Sequence, residues 1–323
     1  MTQQWIVPDA VFDGARLHRD MAVLTDGVQV LELARDLPEG AMVQRISGVI
    51  SPGFVDLQVN GGGGVLLNQT PSVAGMQAIA AAHRRFGTVA ILPTVITDRP
   101  EVLAQAVAAA IAAKDVQGIA GLHIEGPHIS VARRGTHAAA FIRPMDAVTM
   151  AHVARLRSAG IVVMITVAPE AVTPAQIGEL SALGAVVALG HSDSSFETLK
   201  LAFRARPVAD RMFLVSDAMP TVGGPESFEI YGQTISLHDG QLLNQEGSLA
   251  GAHITQLEGV ARLVGKLGIA PEAALRMAIT VPAQLMGLDQ LAALKGRNVA
   301  DAMHLDTQFT TARALPTVAR MDD

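Results

Sequence analysis

Three residues able to bind a metal or move a proton each stand where an apolar run ends. Glu125 closes GLHIE, His191 follows GAVVALG, and Asp217 follows MFLVS. A carboxylate and an imidazole are N/O ligands for a divalent cation. An aspartate beside them can take a proton from an attacking water and return it to a leaving amine. Taken singly, each has a plainer reading: His191 as a solvated turn residue, Glu125 as a turn or cap group before Gly126-Pro127, Asp217 as a helix N-cap. Their common placement at strand ends is what points to metal-assisted hydrolysis. Gln58 and Asn60 end the run GFVDLQVN in the same way, which adds two amides to the group, expected to bind substrate.

The elements that must hold these residues read as apolar strands alternating with helical periods. GFVDLQVN precedes a helix over about 72–86, in which Met76, Ile79, Ala80 and His83 recur at helical spacing. VAILPTVIT precedes a helix opened by an Asp98-x-x-Glu101 capping pattern with Pro100 in its first turn. GIAGLHIEGP, a helix near 146–158, IVVMITVAP, a helix begun by Thr173-Pro174-x-Gln176, GAVVALGHS, a helix near 195–205 and MFLVSDAM complete the run. Continuous apolar strands separated by helices predict an α/β fold with a parallel sheet buried on both faces. Catalytic groups in such a (β/α)8-type barrel gather at the C-terminal strand ends. Six strands can be placed where a closed barrel needs eight, so two βα units are expected to be missing between His191 and Asp217. Residues 1–50 read instead as short strands with turns at Asp13-Gly14 and Asp26-Gly27. Together with 298–323 they are expected to form a small β-sandwich beside the 51–297 barrel.

Composition narrows the classes. Of 323 residues, half are hydrophobic and 17% charged, enough to bury a large core. The net charge of −6 carries no Lys/Arg block, which argues against nucleic acid or an anionic membrane as partner. The absence of cysteine excludes a disulfide framework, a thiolate metal site and a Cys nucleophile. The N-terminus has no basic start or apolar h-region, and no apolar run reaches the ~18 residues of a membrane span. A cytoplasmic location is expected.

The segments SPGFVDLQVNGGGG, GLHIEGPHIS, ALGHSD, LVSDAMPTVGG and EGSLAGAHIT resemble the N-acetylglucosamine-6-phosphate deacetylases of the amidohydrolase superfamily, along nearly the whole chain. The resemblance implies hydrolysis of N-acetylglucosamine 6-phosphate to glucosamine 6-phosphate and acetate by a homodimer holding one divalent metal, zinc or iron. By position, Glu125 and His191 match metal ligands, Asp217 the catalytic acid/base and His137 a sugar-contacting residue. Leu249, Ala250 and Gly251 match a loop bordering the substrate. Where many amidohydrolases carry His-x-His, this chain has Gln58 and Asn60, so a single-metal site is expected. The family segment that supplies a third metal ligand and much of the phosphate binding has no counterpart here, its two strands being those missing from the strand count. A chain of this sequence is therefore expected to hold metal weakly and turn over little unless a partner chain completes the site. Two other outcomes are a cyclic-amide hydrolase and a degenerate, inactive barrel. The tip Val167-Ala168-Pro169-Glu170 lacks the lysine usual in the former.

Other polar residues have structural readings. His83 falls on an apolar helix face and reads as a core histidine. His123 shares a face with Glu125 and reads as a packing or supporting residue. His128 reads as a loop residue near the pocket. Gly61 to Gly64 read as a tight turn rather than a phosphate cradle, because no Lys-Ser/Thr follows. Arg133-Arg134 reads as a solvated pair on a loop near the site.

Overall fold

The computed structural model describes residues 3–168, 171–189, 212–245, 247 and 249–315. His191, the helix expected near 195–205 and residues 316–323 lie outside the described residues. Five strands pair in parallel in sequential order: β1 (Phe54–Val59), β2 (Thr88–Ile96), β3 (Gly121–Glu125), β4 (Val162–Val167) and β5 (Val186–Leu189). Helices α1 (Val73–Arg84), α2 (Pro100–Ala112), α3 (Ala147–Ser158) and α4 (Pro174–Ala182) lie between them in the chain.

Strand alternation divides the sheet into two faces. Leu122 and Ile124 of β3 and Val163 and Ile165 of β4 pack with Met76 and Ile79 of α1 and Leu103 and Val107 of α2. Each such buried Leu or Ile contributes about 1.5–3 kcal/mol. On the opposite face, Val55 and Leu57 of β1, Leu92 of β2 and Met164 of β4 meet α5 (Gln256–Gly265) and a helix running from Pro271 to Leu285 through a π turn at Arg276–Thr280. That second face also carries His123 and Glu125.

Local sequence accounts for most helix starts. Ser72 accepts from Gly75 N and Asp146 from Thr149 N, while Thr173 with Gln176 and Thr255 with Glu258 form reciprocal capping boxes. The capping pattern expected at Asp98 does not form. The N-cap of α2 is Arg99, without a side-chain cap. Asp98 Oδ2 is taken instead by Asn68 Nδ2 at 3.0 Å, and its Oδ1 accepts from Arg99 N.

MFLVSDAM also departs from expectation, because it forms no regular strand and joins the sheet only through isolated bridges at Ala218. Asp217 N donates to Gln58 O and Asn60 N to Ala218 O, and Ala218 bridges Val59 on one side and Ala252 on the other. Asp217 itself has φ +53, which interrupts a β ladder at that point. The segment therefore lies along the free side of β1, opposite β2, and brings Asp217 beside the end of β1.

Two further units flank the sheet. Strands Ser227–Ile230, Gln233–His238 and Gln241–Leu243 form an antiparallel meander with turns at Tyr231-Gly232 and Asp239-Gly240, all four residues having positive φ. Two-residue turns of that conformation match the twist of the strands they join. Ile230, Ile235 and Leu242 pack with Leu66, Ile96, Met219 and Ala250, so the meander sits against the end of β2.

The second unit joins the chain's early and late strands. Val49–Pro52 pairs with Ala302–Leu305 and with Ala10–Phe12, and a four-stranded sheet lies nearby, built from Gln4–Val7, Ala22–Thr25, Val30–Ala34 and Val43–Arg45. Ile6, Val23 and Val30 of one sheet share a core with Val11, Ile50 and Ala302 of the other. An Arg84–Asp301 ion pair ties this unit to α1. Among the described residues, no helix is long and apolar enough to cross a membrane.

Candidate active site

β3 and the segment 212–218 deliver their carboxylates to one place. Gln58, at the end of β1, lies between them. Its Nε2 is 3.1 Å from Glu125 Oε1 and 2.9 Å from Asp217 Oδ1, and it donates to both. Asn60 Nδ2 donates to the same Asp217 oxygen at 2.8 Å. The two amides expected at the strand tip are thus committed to holding the carboxylates. Burial raises the Glu125 carboxyl well above its ordinary range, the Asp217 charge adds to the rise, and the Gln58 hydrogen bond opposes it.

The cleft above has a volume of about 230 Å³ and is lined by Asn60, Glu125, His137, Asp217, Leu249 and Gly251, among others. His137 is buried, with Nδ1 2.7 Å from Thr97 Oγ1, and Arg134 Nη1 donates to its carbonyl. Leu249 stands at the rim, 60% exposed. Gly251, at φ +107, fits closely, since a Cβ there would lie 2.6 Å from Met219 Cγ. Ala250, expected beside the substrate, is turned instead into the apolar cluster with Met219, Ile235 and Leu242. His191 lies outside the described residues.

Nearby polar groups take supporting places. Both nitrogens of the fully buried His123 are engaged, Nδ1 with Thr94 Oγ1 at 3.1 Å and Nε2 with Thr166 Oγ1 at 2.8 Å. Burial holds its pKa down at about 3, so the ring is neutral, and its contacts are those of a cross-strand tie. His128 is bound through both nitrogens to Arg143 O and Thr149 Oγ1. His83 is buried in α1 with Nε2 on Gly61 O. Gly61 to Gly64 lie in a short hairpin whose Gly61, Gly63 and Gly64 amides bond Ala218, Val222 and Pro220 carbonyls, so these amides cannot cradle a phosphate. Arg133 is exposed.

Three contributors were not anticipated from the sequence: Thr97, Tyr231 and Asp56. Thr97 ends the run VAILPTVIT, and a hydroxyl at a strand tip is the signal that could have found it. Asp56 is fully buried beneath Asp217. Its Oδ1 accepts from Ser216 N and Gln58 N, and burial pushes it up to about 7.

A buried carboxylate and a partly buried one, brought together by neutral amides at a cleft, are donor chemistry that suits a divalent cation. Among the described residues, no three His, Asp or Glu side chains come together as a metal-holding group, so a cation at Glu125 needs a further ligand.

No family model matches the chain. The N-acetylgalactosamine-6-phosphate deacetylase of Shewanella sp. (strain ANA-3) is 33% identical over 316 residues, covering 80% of this chain and 80% of the relative. The N-acetylglucosamine-6-phosphate deacetylase of Haemophilus influenzae is 25% identical over 331 residues, covering 84% and 86%. Among solved structures, the N-acetylglucosamine-6-phosphate deacetylase from Pasteurella multocida superposes with a TM-score of 0.80 at 24% identity, covering 97% of this chain and 98% of that one. A dihydropyrimidinase from Brevibacillus agri has the same general fold at a TM-score of 0.52 and 14% identity, covering 94% and 86%.

Proposed function

The chain belongs to the family of N-acetylated amino-sugar-6-phosphate deacetylases in the amidohydrolase superfamily, and from that premise we propose that it hydrolyses the acetamide of N-acetylglucosamine 6-phosphate to glucosamine 6-phosphate and acetate. The observation that carries the reading is the convergence of Glu125 and Asp217 on Gln58 at the floor of a cleft walled by His137. Asp217 takes the proton of the attacking water as its oxygen adds to the acetyl carbonyl carbon. It then passes that proton to the sugar nitrogen as the C–N bond breaks. His137 meets the charge that develops on the carbonyl oxygen. Gln58 and Asn60 hold Asp217 in place, and Leu249 and Gly251 border the sugar.

Glu125, with His191 as its partner ligand, would hold one zinc or iron ion, which would supply Lewis-acid polarisation of the acetyl carbonyl. We further infer that two βα units are missing between β5 and residue 212. This agrees with β5 and the 212–218 segment flanking the two ends of the five-stranded sheet. The third metal ligand and the phosphate donors would then come from outside the chain, as when a second copy in a homodimer completes the site. Turnover would accordingly be slow at low protein concentration.

The test is acetate release from N-acetylglucosamine 6-phosphate and from its galactosamine epimer, with zinc or ferrous iron supplied. Release from the gluco substrate that disappears in Asp217→Asn supports the reading. Release from the galacto epimer alone would correct the sugar, and release from neither would overturn the assignment.

A further inference from the structure

We propose that Thr97 and Tyr231 form a positioning relay that fixes His137 as the tautomer protonated on Nε2. The proposal rests on the deacetylase reading only for the use made of that proton, which is a hydrogen bond to the acetyl carbonyl oxygen.

Thr97 is fully buried between the ends of β2 and β3, and its hydroxyl has one proton to give. Two acceptors face Thr97 Oγ1: His137 Nδ1 at 2.7 Å and Glu125 main-chain O at 3.5 Å. Hydroxyl-to-oxygen bonds centre at about 2.7–2.8 Å and N–H-to-oxygen bonds at about 2.9–3.0 Å. A contact of 2.7 Å is thus short for an N–H donor, and at the limit of 3.5 Å the carbonyl is a poor acceptor for the hydroxyl. The short contact is therefore the hydroxyl giving its proton to Nδ1, with the longer one too weak to compete. A ring that accepts at Nδ1 carries its proton at Nε2 when neutral.

Two further features hold the hydroxyl in place. Gly126, at φ +71, directly follows Glu125, and a Cβ there would lie 2.3 Å from Thr97 Oγ1. The chain after Glu125 is thus shaped around that oxygen. From the other side, the Tyr231 hydroxyl donates to the Thr97 carbonyl. Tyr231 is the only tyrosine in the chain and occupies the first turn of the meander, at φ +51. The meander thereby fixes the main chain at Thr97, which in turn fixes the ring of His137.

The experiment is long-range 1H–15N spectroscopy on protein labelled with 15N-histidine, with His137→Gln used to assign the ring. The expected result is an unprotonated Nδ1 and a protonated Nε2 in the wild type. Thr97→Val should redistribute the proton between the two nitrogens, Thr97→Ser should restore the wild-type pattern, and Tyr231→Phe should shift the pattern part-way. In turnover, Thr97→Val should lower kcat about tenfold, the worth of one hydrogen bond of about 1.4 kcal/mol, with KM little changed. A protonated Nδ1 in the wild type, or a Thr97→Val spectrum identical to wild type, overturns the relay. An unchanged spectrum in Tyr231→Phe overturns the part given to Tyr231. The wild-type spectrum decides the tautomer even if no acetate is released, so failure of the relay and failure of the deacetylase reading give different results.

Discussion

Glu125 and Asp217 are joined through one nitrogen: Gln58 Nε2 donates to an oxygen of each. The Asp217 charge opposes ionisation of Glu125, and a shared amide is one of the few neutral groups that can donate to both carboxyls at once. The first prediction follows from that sharing. Gln58→Leu removes both hydrogen bonds, leaving Asn60 as a donor to the shared Asp217 oxygen, and should destabilise the fold by about 1–3 kcal/mol in all. In urea unfolding at neutral pH, the midpoint should drop. Lowering the pH should recover part of the loss, because a protonated carboxyl no longer repels its neighbour. An unchanged midpoint would mean that the amide bridge contributes nothing to stability.

Asp217 combines its proposed role in the chemistry with an unusual backbone conformation. Asn tolerates the left-handed region, and its side-chain oxygen can still accept from Gln58 and Asn60. Asp217→Asn should therefore fold as well as wild type while losing about 10²–10⁴-fold in acetate release. Asp217→Ala should lose activity to a similar degree and also melt lower, by about 1–2 kcal/mol from the strain of φ +53. Equal thermal stability of the two variants would contradict the strain argument.

The strand tips were readable because β3 and its neighbours are apolar along their length, so a polar residue at the end stands out. The polar residues inside the strands were harder to place. His123 and Asp56 are polar groups in apolar runs, and their partners (Thr94, Thr166 and Ser216) belong to other segments that periodicity cannot pair. The same limit explains Asp98: its capping pattern is present, but Asn68, from the loop after β1, takes the side chain. Tyr231-Gly232 and Asp239-Gly240 carry a hairpin signal in hindsight. What no local pattern contains is that the first turn reaches Thr97.

Asp56 should make stability depend on pH in an unusual direction. Its carboxyl is raised from 3.8 to about 7, mainly by burial. The folded state therefore holds this proton more tightly than the unfolded chain does. Stability from this group is fully present below about 3.8 and is lost as pH rises toward about 7. Glu125 acts in the same direction. In the presence of a chelator, the unfolding midpoint should decline across that window, and Asp56→Asn should flatten the decline. A midpoint that rises steadily from pH 4 to 7 in the wild type would refute it.

A divalent cation should relieve the carboxylate pair. Zinc or ferrous iron at about 100 times its Kd stabilises the state that binds it by about 2.7 kcal/mol. The melting temperature of wild type should rise accordingly, and chelation should reverse the rise and stop acetate release. Glu125→Gln should show a much smaller rise. An equal rise in both proteins would place the cation elsewhere.

The pairing of Val49–Pro52 with Ala302–Leu305 has a consequence for how the molecule is made. The ribosome releases the first of these strands about 250 residues before the second. Throughout that interval, Val49–Pro52 has Ala10–Phe12 beside it on one side and an unmatched edge on the other. Completion of this sheet must therefore await that further synthesis, and the nascent chain must keep that edge from pairing with a neighbour on the same polysome.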